Sequence, residues 1–105
     1  MIHVVATITV QPGTRPAFLD VFRWLTPLVR AEAGCIEYQA TVDVPTTIAV
    51  QDAPRPDVVT VIEKWESVEA LYAHGVAPHM TEYRAKVKEY FVSVKLQVTE
   101  PAFGK

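Results

Sequence analysis

Apolar residues recur at every second position from the start of the chain. Ile2, Val4, Ala6, Ile8 and Val10 alternate with His3, Val5, Thr7 and Thr9. A period of two predicts a β-strand, and Pro12-Gly13 ends it. Pro16 fits the first turn of a helix, where a missing N–H costs nothing. Phe18, Val21, Phe22, Leu25, Leu28 and Val29 then recur at helical spacing, with Arg15, Asp20, Arg23 and Arg30 between them. Pro27 should kink this helix, and Gly34 is its expected stop. Ile36, Tyr38, Ala40 and Val42 alternate with polar residues and predict a second strand. The stretch from Val44 to Asp57 contains Pro45, Pro54 and Pro56. It reads as a short edge strand near Ile48 to Gln51 followed by a loop.

Val58 to Trp65 is a third strand, apolar at first on both faces (Val58, Val59, Val61, Ile62), which predicts a central place in its sheet. Ser67 can cap the next helix, and Glu69 suits its first turn. Gly75 breaks that helix and Pro78 restarts it. Met80, Tyr83, Val87 and Phe91 then form an expected inner stripe. Val92, Val94, Leu96 and Val98 alternate with Ser93, Lys95, Gln97 and Thr99 as a last strand, ended by Pro101.

The order is therefore strand, helix, strand, strand, helix, strand. His3–Ile8 and Asp57–Ile62 echo each other, and each leads into a helix. Two such halves predict an α+β fold of the ferredoxin-like split βαβ type, with the helices on one face of an antiparallel sheet. The other face, expected to carry Val, Ile, Thr and Trp, needs a cover. A partner's sheet supplies one, so the expected assembly is a homodimer, a dimeric α/β-barrel.

Composition narrows the functional classes. The 105 residues make one domain, 1–105. Half are hydrophobic, and the mean hydropathy of +0.14 is high for a small domain, consistent with a buried interface. The net charge is −2 with both signs interspersed, so no basic patch points to nucleic acid. No apolar run reaches the roughly 20 residues of a membrane span, and no membrane insertion is expected. The start reads as a strand and not as a signal peptide, so the expected compartment is the cytoplasm. A single cysteine, Cys35, excludes an internal disulfide and reads as a small buried hydrophobe.

Two of the three histidines and one of the two tryptophans fall between Glu63 and Tyr83. Ala33-Gly34-Cys35-Ile36-Glu37-Tyr38, Ile62-Glu63-Lys64-Trp65-Glu66-Ser67, Ala70-Leu71, Ala73-His74 and Pro78-His79-Met80 together resemble the antibiotic biosynthesis monooxygenase family. The match is nearest to its bacterial quinol monooxygenase branch and covers nearly the whole chain. The resemblance implies oxygenation of a small flat phenol or hydroquinone by molecular oxygen without a cofactor. It also implies that Trp65 lines the substrate cleft, although from the sequence Trp65 reads equally as a core or interface tryptophan. The haem-degrading branch carries an asparagine on its first strand, but this chain has no asparagine at all, which argues against haem degradation.

The residues themselves agree with that chemistry. There is no G-x-G-x-x-G and no P-loop. His74 and His79 are five apart across a Gly-Pro break, unlike the i, i+4 pair of a helical zinc site. Glu63 would complete a His-His-carboxylate set, but no metal is expected. A phenolate is oxidised far more readily than its phenol, so such an enzyme needs an apolar slot, a base and a donor for the developing oxyanion. His79, at a helix start, reads either as that base or as a packed histidine. His74, at a helix end, reads either as a base or as a cap. Tyr83, one turn past His79, reads either as a donor to a substrate oxygen or as a side chain whose hydroxyl reaches solvent. Phe22, Tyr38, Met80 and Phe91 read as core or cavity wall. Two other functions fit the pattern. One is an isomerase of a small phosphorylated carbonyl compound, for which Arg84 and Lys86 are the local cations. The other is a non-catalytic small-molecule-binding stress protein.

Overall fold

The computed structural model describes residues 1–104. Its elements are β1 (Ile2–Val10), α1 (Arg15–Arg30), β2 (Cys35–Thr41), β3 (Val58–Trp65), α2 (Val68–Gly75), α3 (Pro78–Val87) and β4 (Phe91–Thr99). The strands form one antiparallel sheet in the order β2-β3-β1-β4, the ferredoxin-like arrangement. β3 is central, as its two-sided apolar start predicts.

Register decides which side chains share a face. Val4 pairs with Glu63, Ala6 with Val61 and Ile8 with Val59. Together with Phe18, Phe22, Leu25 and Val29 of α1, and Met80, Tyr83 and Val87 of α3, this face makes one buried cluster. Burying each Val, Leu, Ile, Phe or Met side chain of the cluster contributes about 1.5–3 kcal/mol. Pro27 sits inside α1 without ending it.

Four expectations need correction. The stretch near Ile48 to Gln51 forms no strand. The Gln51 side chain instead donates to the Val44 carbonyl (2.8 Å) and contacts Thr46. Arg55 closes the same loop, donating to both Asp43 carboxylate oxygens at 2.8 and 2.9 Å. That pairing lowers the Asp43 pKa to about 2. Secondly, α1 ends at Arg30, and Gly34 serves the following turn with φ +85°.

Thirdly, Phe91 is the first residue of β4 and not the end of a helix. α3 stops at Val87, and the chain turns where Tyr90 N–H donates to the Val87 carbonyl (2.8 Å). Lastly, Trp65 is fully buried on the helix side, opposite Ile2. The face away from the helices is mostly polar. Its central rows pair Thr7 with Thr60 and Lys95, and Val5 with Ile62 and Gln97. The exposed apolar stripe lies on the helix side of β4 instead, where Phe91, Val94, Leu96 and Val98 are 38–58% exposed. The helices reach over β2, β3 and β1 and leave this edge uncovered.

Candidate active site

The break after α2 builds the site. The Ser67 hydroxyl accepts from Ala70 N–H (3.1 Å) and starts α2, which ends after two turns. Arg84 donates from Nη2 to the Gly75 carbonyl (2.6 Å), tying α3 back to the end of α2. Pro78 occupies the first turn of α3. The bend sets His74, at the end of one helix, beside His79, at the start of the next.

A third element meets them. After α1 the chain turns through Glu32, with Glu32 N–H donating to Val29 (2.9 Å) and Cys35 N–H to Glu32 (3.2 Å). One carboxylate oxygen of Glu32, Oε2, lies 2.9 Å from His74 Nδ1 and 2.6 Å from His79 Nε2. The Glu32 side chain is only 12% exposed. Gly34 ties this turn to the segment between β3 and α2, since its carbonyl accepts from Glu66 N–H (2.8 Å).

A second carboxylate lies deeper. Glu63, 5% exposed, accepts from Trp65 Nε1–H at 2.9 Å. Burial raises its pKa, while the Trp65 hydrogen bond and the nearby His74 pull it down. Burial likewise raises the Tyr38 and Tyr83 hydroxyl pKa values, keeping both as protonated donors. The rings contact one another in sequence, stacked, then edge-on, then tilted. Phe22 lies 5.5 Å from Tyr38 at an interplanar angle of 11°, Tyr38 meets His74 at 5.5 Å, and His74 meets Trp65 at 4.7 Å.

These groups end a cavity of about 900 Å³ between the sheet and α2–α3. Its wall is mostly apolar, with Val4, Ala6, Ile8, Val61 and Leu71. Tyr38, Glu63, His74 and Tyr83 are among its polar lining residues. Phe22, Tyr38, Met80, Tyr83 and Phe91, all expected from the sequence, lie on this wall. Of the two histidines, His74 lines the cavity, and His79 joins the group through Glu32. Trp65 takes the second of its two expected places: it is absent from the cavity wall and backs His74 and Glu63 from the core. Arg84 and Lys88 also line the cavity. Lys86 turns away, with its ammonium 4.9 Å from the Trp24 ring centre.

Glu32 was missed by the sequence reading. It lies in a turn, where no periodicity marks a side chain that folds inward. Glu63 did leave a signal, a carboxylate on the inward rows of β3 between Val61 and Trp65. Among the described residues, no group of three or more His, Cys, Asp or Glu side chains is placed to hold a metal. No helix among them is long and apolar enough to cross a membrane.

Comparison with known proteins places this geometry. Residues 1–86 match the family model described as antibiotic biosynthesis monooxygenase. The chain is 36% identical over 103 residues to the Escherichia coli protein named probable quinol monooxygenase YgiN, covering 96% of this chain and 98% of that one. Among solved structures, PA3566 from Pseudomonas aeruginosa superposes with a TM-score of 0.78 at 26% identity, covering 96% of this chain and 94% of that one. Rv0793 from Mycobacterium tuberculosis superposes with a TM-score of 0.76 at 26% identity, covering 95% and 93%.

Proposed function

This chain belongs to the antibiotic biosynthesis monooxygenase family, and from that premise we propose that it oxygenates a small flat phenol or hydroquinone without a cofactor. The observation that carries this reading is the apolar cavity lined by His74 and by two tyrosines, Tyr38 and Tyr83, whose hydroxyls burial keeps protonated. The walls accept a flat ring. His74 takes the phenolic proton, and Tyr38 or Tyr83 donates to the oxygen left charged. The electrons balance without a reductant. One hydroquinone and one O₂ give one hydroxyquinone and one water. The ring loses four electrons, a C–O bond forms at a ring carbon, and the O–O bond breaks. The second oxygen leaves as water with two hydrogens from the substrate. Oxygen uptake with a reduced 1,4-naphthoquinol tests this. Acceleration over the protein-free rate, at one O₂ per quinol, is expected. Uptake equal to the protein-free rate overturns it.

The exposed stripe on β4 supports a homodimer, because pairing would remove Phe91, Val94, Leu96 and Val98 from water. Light scattering should give twice the monomer's 11.7 kDa; the monomer mass would refute it.

A second reading has one observation in its favour. Arg84 and Lys88 on the cavity wall suit a phosphorylated carbonyl substrate, isomerised with His74 as the proton carrier. Conversion of such a sugar phosphate with no oxygen consumed would favour this reading over the first.

A further inference from the structure

We infer that Glu32 is the positioning residue of this site, dictating which nitrogen of each histidine is free to accept a proton. The inference rests on the reading of His74 as the base and deepens it. An ionised carboxylate has no hydrogen to give, so any ring nitrogen bonded to it must be the donor. Glu32 Oε2 has two such neighbours, His74 Nδ1 at 2.9 Å and His79 Nε2 at 2.6 Å. The two rings are therefore held in opposite tautomers. His74 carries its hydrogen on Nδ1 and keeps the lone pair on Nε2. His79 carries its hydrogen on Nε2 and keeps the lone pair on Nδ1.

The consequence falls on the cavity side. His74 lines the cavity and is otherwise packed between Tyr38 and Trp65. With Nδ1 committed to Glu32, only Nε2 can take a phenolic proton. Once it does, the imidazolium keeps its hydrogen bond to the carboxylate, now as a charge-assisted pair. His79 has a different task. Its N–H occupies a second lone pair of the same oxygen, so the carboxylate cannot rotate away from His74 without breaking both bonds. Glu32 acts through His74 and need not touch the substrate. Sequence distance is no obstacle, since the α1–β2 turn and the α2–α3 bend meet across 42 and 47 residues.

The test uses the full-length protein labelled with ¹⁵N in its histidines. The wild-type spectrum should assign the proton of His74 to Nδ1 and that of His79 to Nε2, in the pH range where both rings are neutral. Glu32→Ala should release both rings to mixed tautomers. It should also lower kcat for a naphthoquinol by about 10–100-fold, the usual cost of losing an orienting partner, with KM little changed. Glu32→Gln guards against a folding artefact, because its amide oxygen can accept both hydrogens. It should keep both tautomers while recovering only part of kcat, since the charge facing the imidazolium is gone. The inference is overturned if wild-type His74 carries its proton on Nε2. It is overturned equally if Glu32→Ala leaves the tautomers or kcat unchanged. Failure of the wild type to consume oxygen would sink the proposed oxygenation, while the spectra would still decide for or against Glu32.

Discussion

The half built from β1 and α1 and the half built from β3, α2 and α3 begin on strands of similar sequence and then diverge. α1 is one piece, and its stripe of Phe18, Phe22, Leu25 and Val29 is buried over the sheet. The second half divides its helix at Gly75 to Ala77. There α2 buries His74, and α3 buries Met80, Tyr83 and Val87. An unbroken apolar stripe closes on a sheet and leaves no room. A broken one cannot follow the sheet along its whole length. It leaves a cavity, and the polar ends of two short helices face one another beside it. The first half supplies stability and apolar cavity wall, and the second supplies His74 and Glu63.

That division can be broken most directly by one substitution on each side. His74→Ala should lower the turnover of the folded fraction by about 10²–10⁴-fold, the usual worth of a positioned acid–base group. Phe18→Ala should do the reverse, costing about 3–5 kcal/mol of stability in chemical denaturation, with the turnover of the folded fraction preserved. Similar losses of activity and stability in both variants would erase the distinction.

Gly34 joins the two halves and should show an effect on both. Its φ of +85° disfavours any side chain by about 1–2 kcal/mol. An added Cβ would also lie 2.6 Å from the Ala70 Cβ on α2. Gly34→Ala should therefore destabilise the fold and, by displacing α2 from the Glu32 turn, reduce activity as well. Denaturation and turnover assays on one sample check both effects.

Glu63 gives a smaller effect with a definite sign. Burial raises its pKa from 4.5 in the folded state. Above pH 4.5 the unfolded chain therefore loses a proton that the native state retains, and stability falls as pH rises through that window. Glu63→Gln keeps an acceptor for Trp65 and has no proton to lose. Its thermal midpoint should gain on the wild type as pH goes from 4 to 7, and a constant gap would refute the assignment. The smallest effect belongs to the outer face of α1. Arg23 and Asp20 pair at 3.3 Å but are 81% and 74% exposed. Arg23→Ala should change stability by less than about 0.5 kcal/mol by the same denaturation assay.

The two halves were not equally legible. The period-two strands, the α1 stripe and the break at Gly75 follow from local alternation and from glycine and proline, which act within a few residues of themselves. Five cavity residues, Phe22, Tyr38, Met80, Tyr83 and Phe91, were visible for the same reason, although Phe91 changed element. Of the stretch from Val44 to Asp57, only the short strand expected near Ile48 to Gln51 is absent: the segment is tied back on itself by Gln51 to Val44 and Arg55 to Asp43 and does not reach the free edge of β2.

Sequence alone thus determined the element order, the inward row of β1, and the gathering of histidines at one helix break. Each of these depends on backbone preference and side-chain period. Tertiary structure decided the rest. Register set Trp65 beneath the helices instead of at the cavity, and the reach of the helices left the inner face of β4 bare. Above all, the packing of the α1 turn against α2 brought Glu32 to both histidines. Such a contact depends on how distant segments meet in space, and no local pattern in the chain records it.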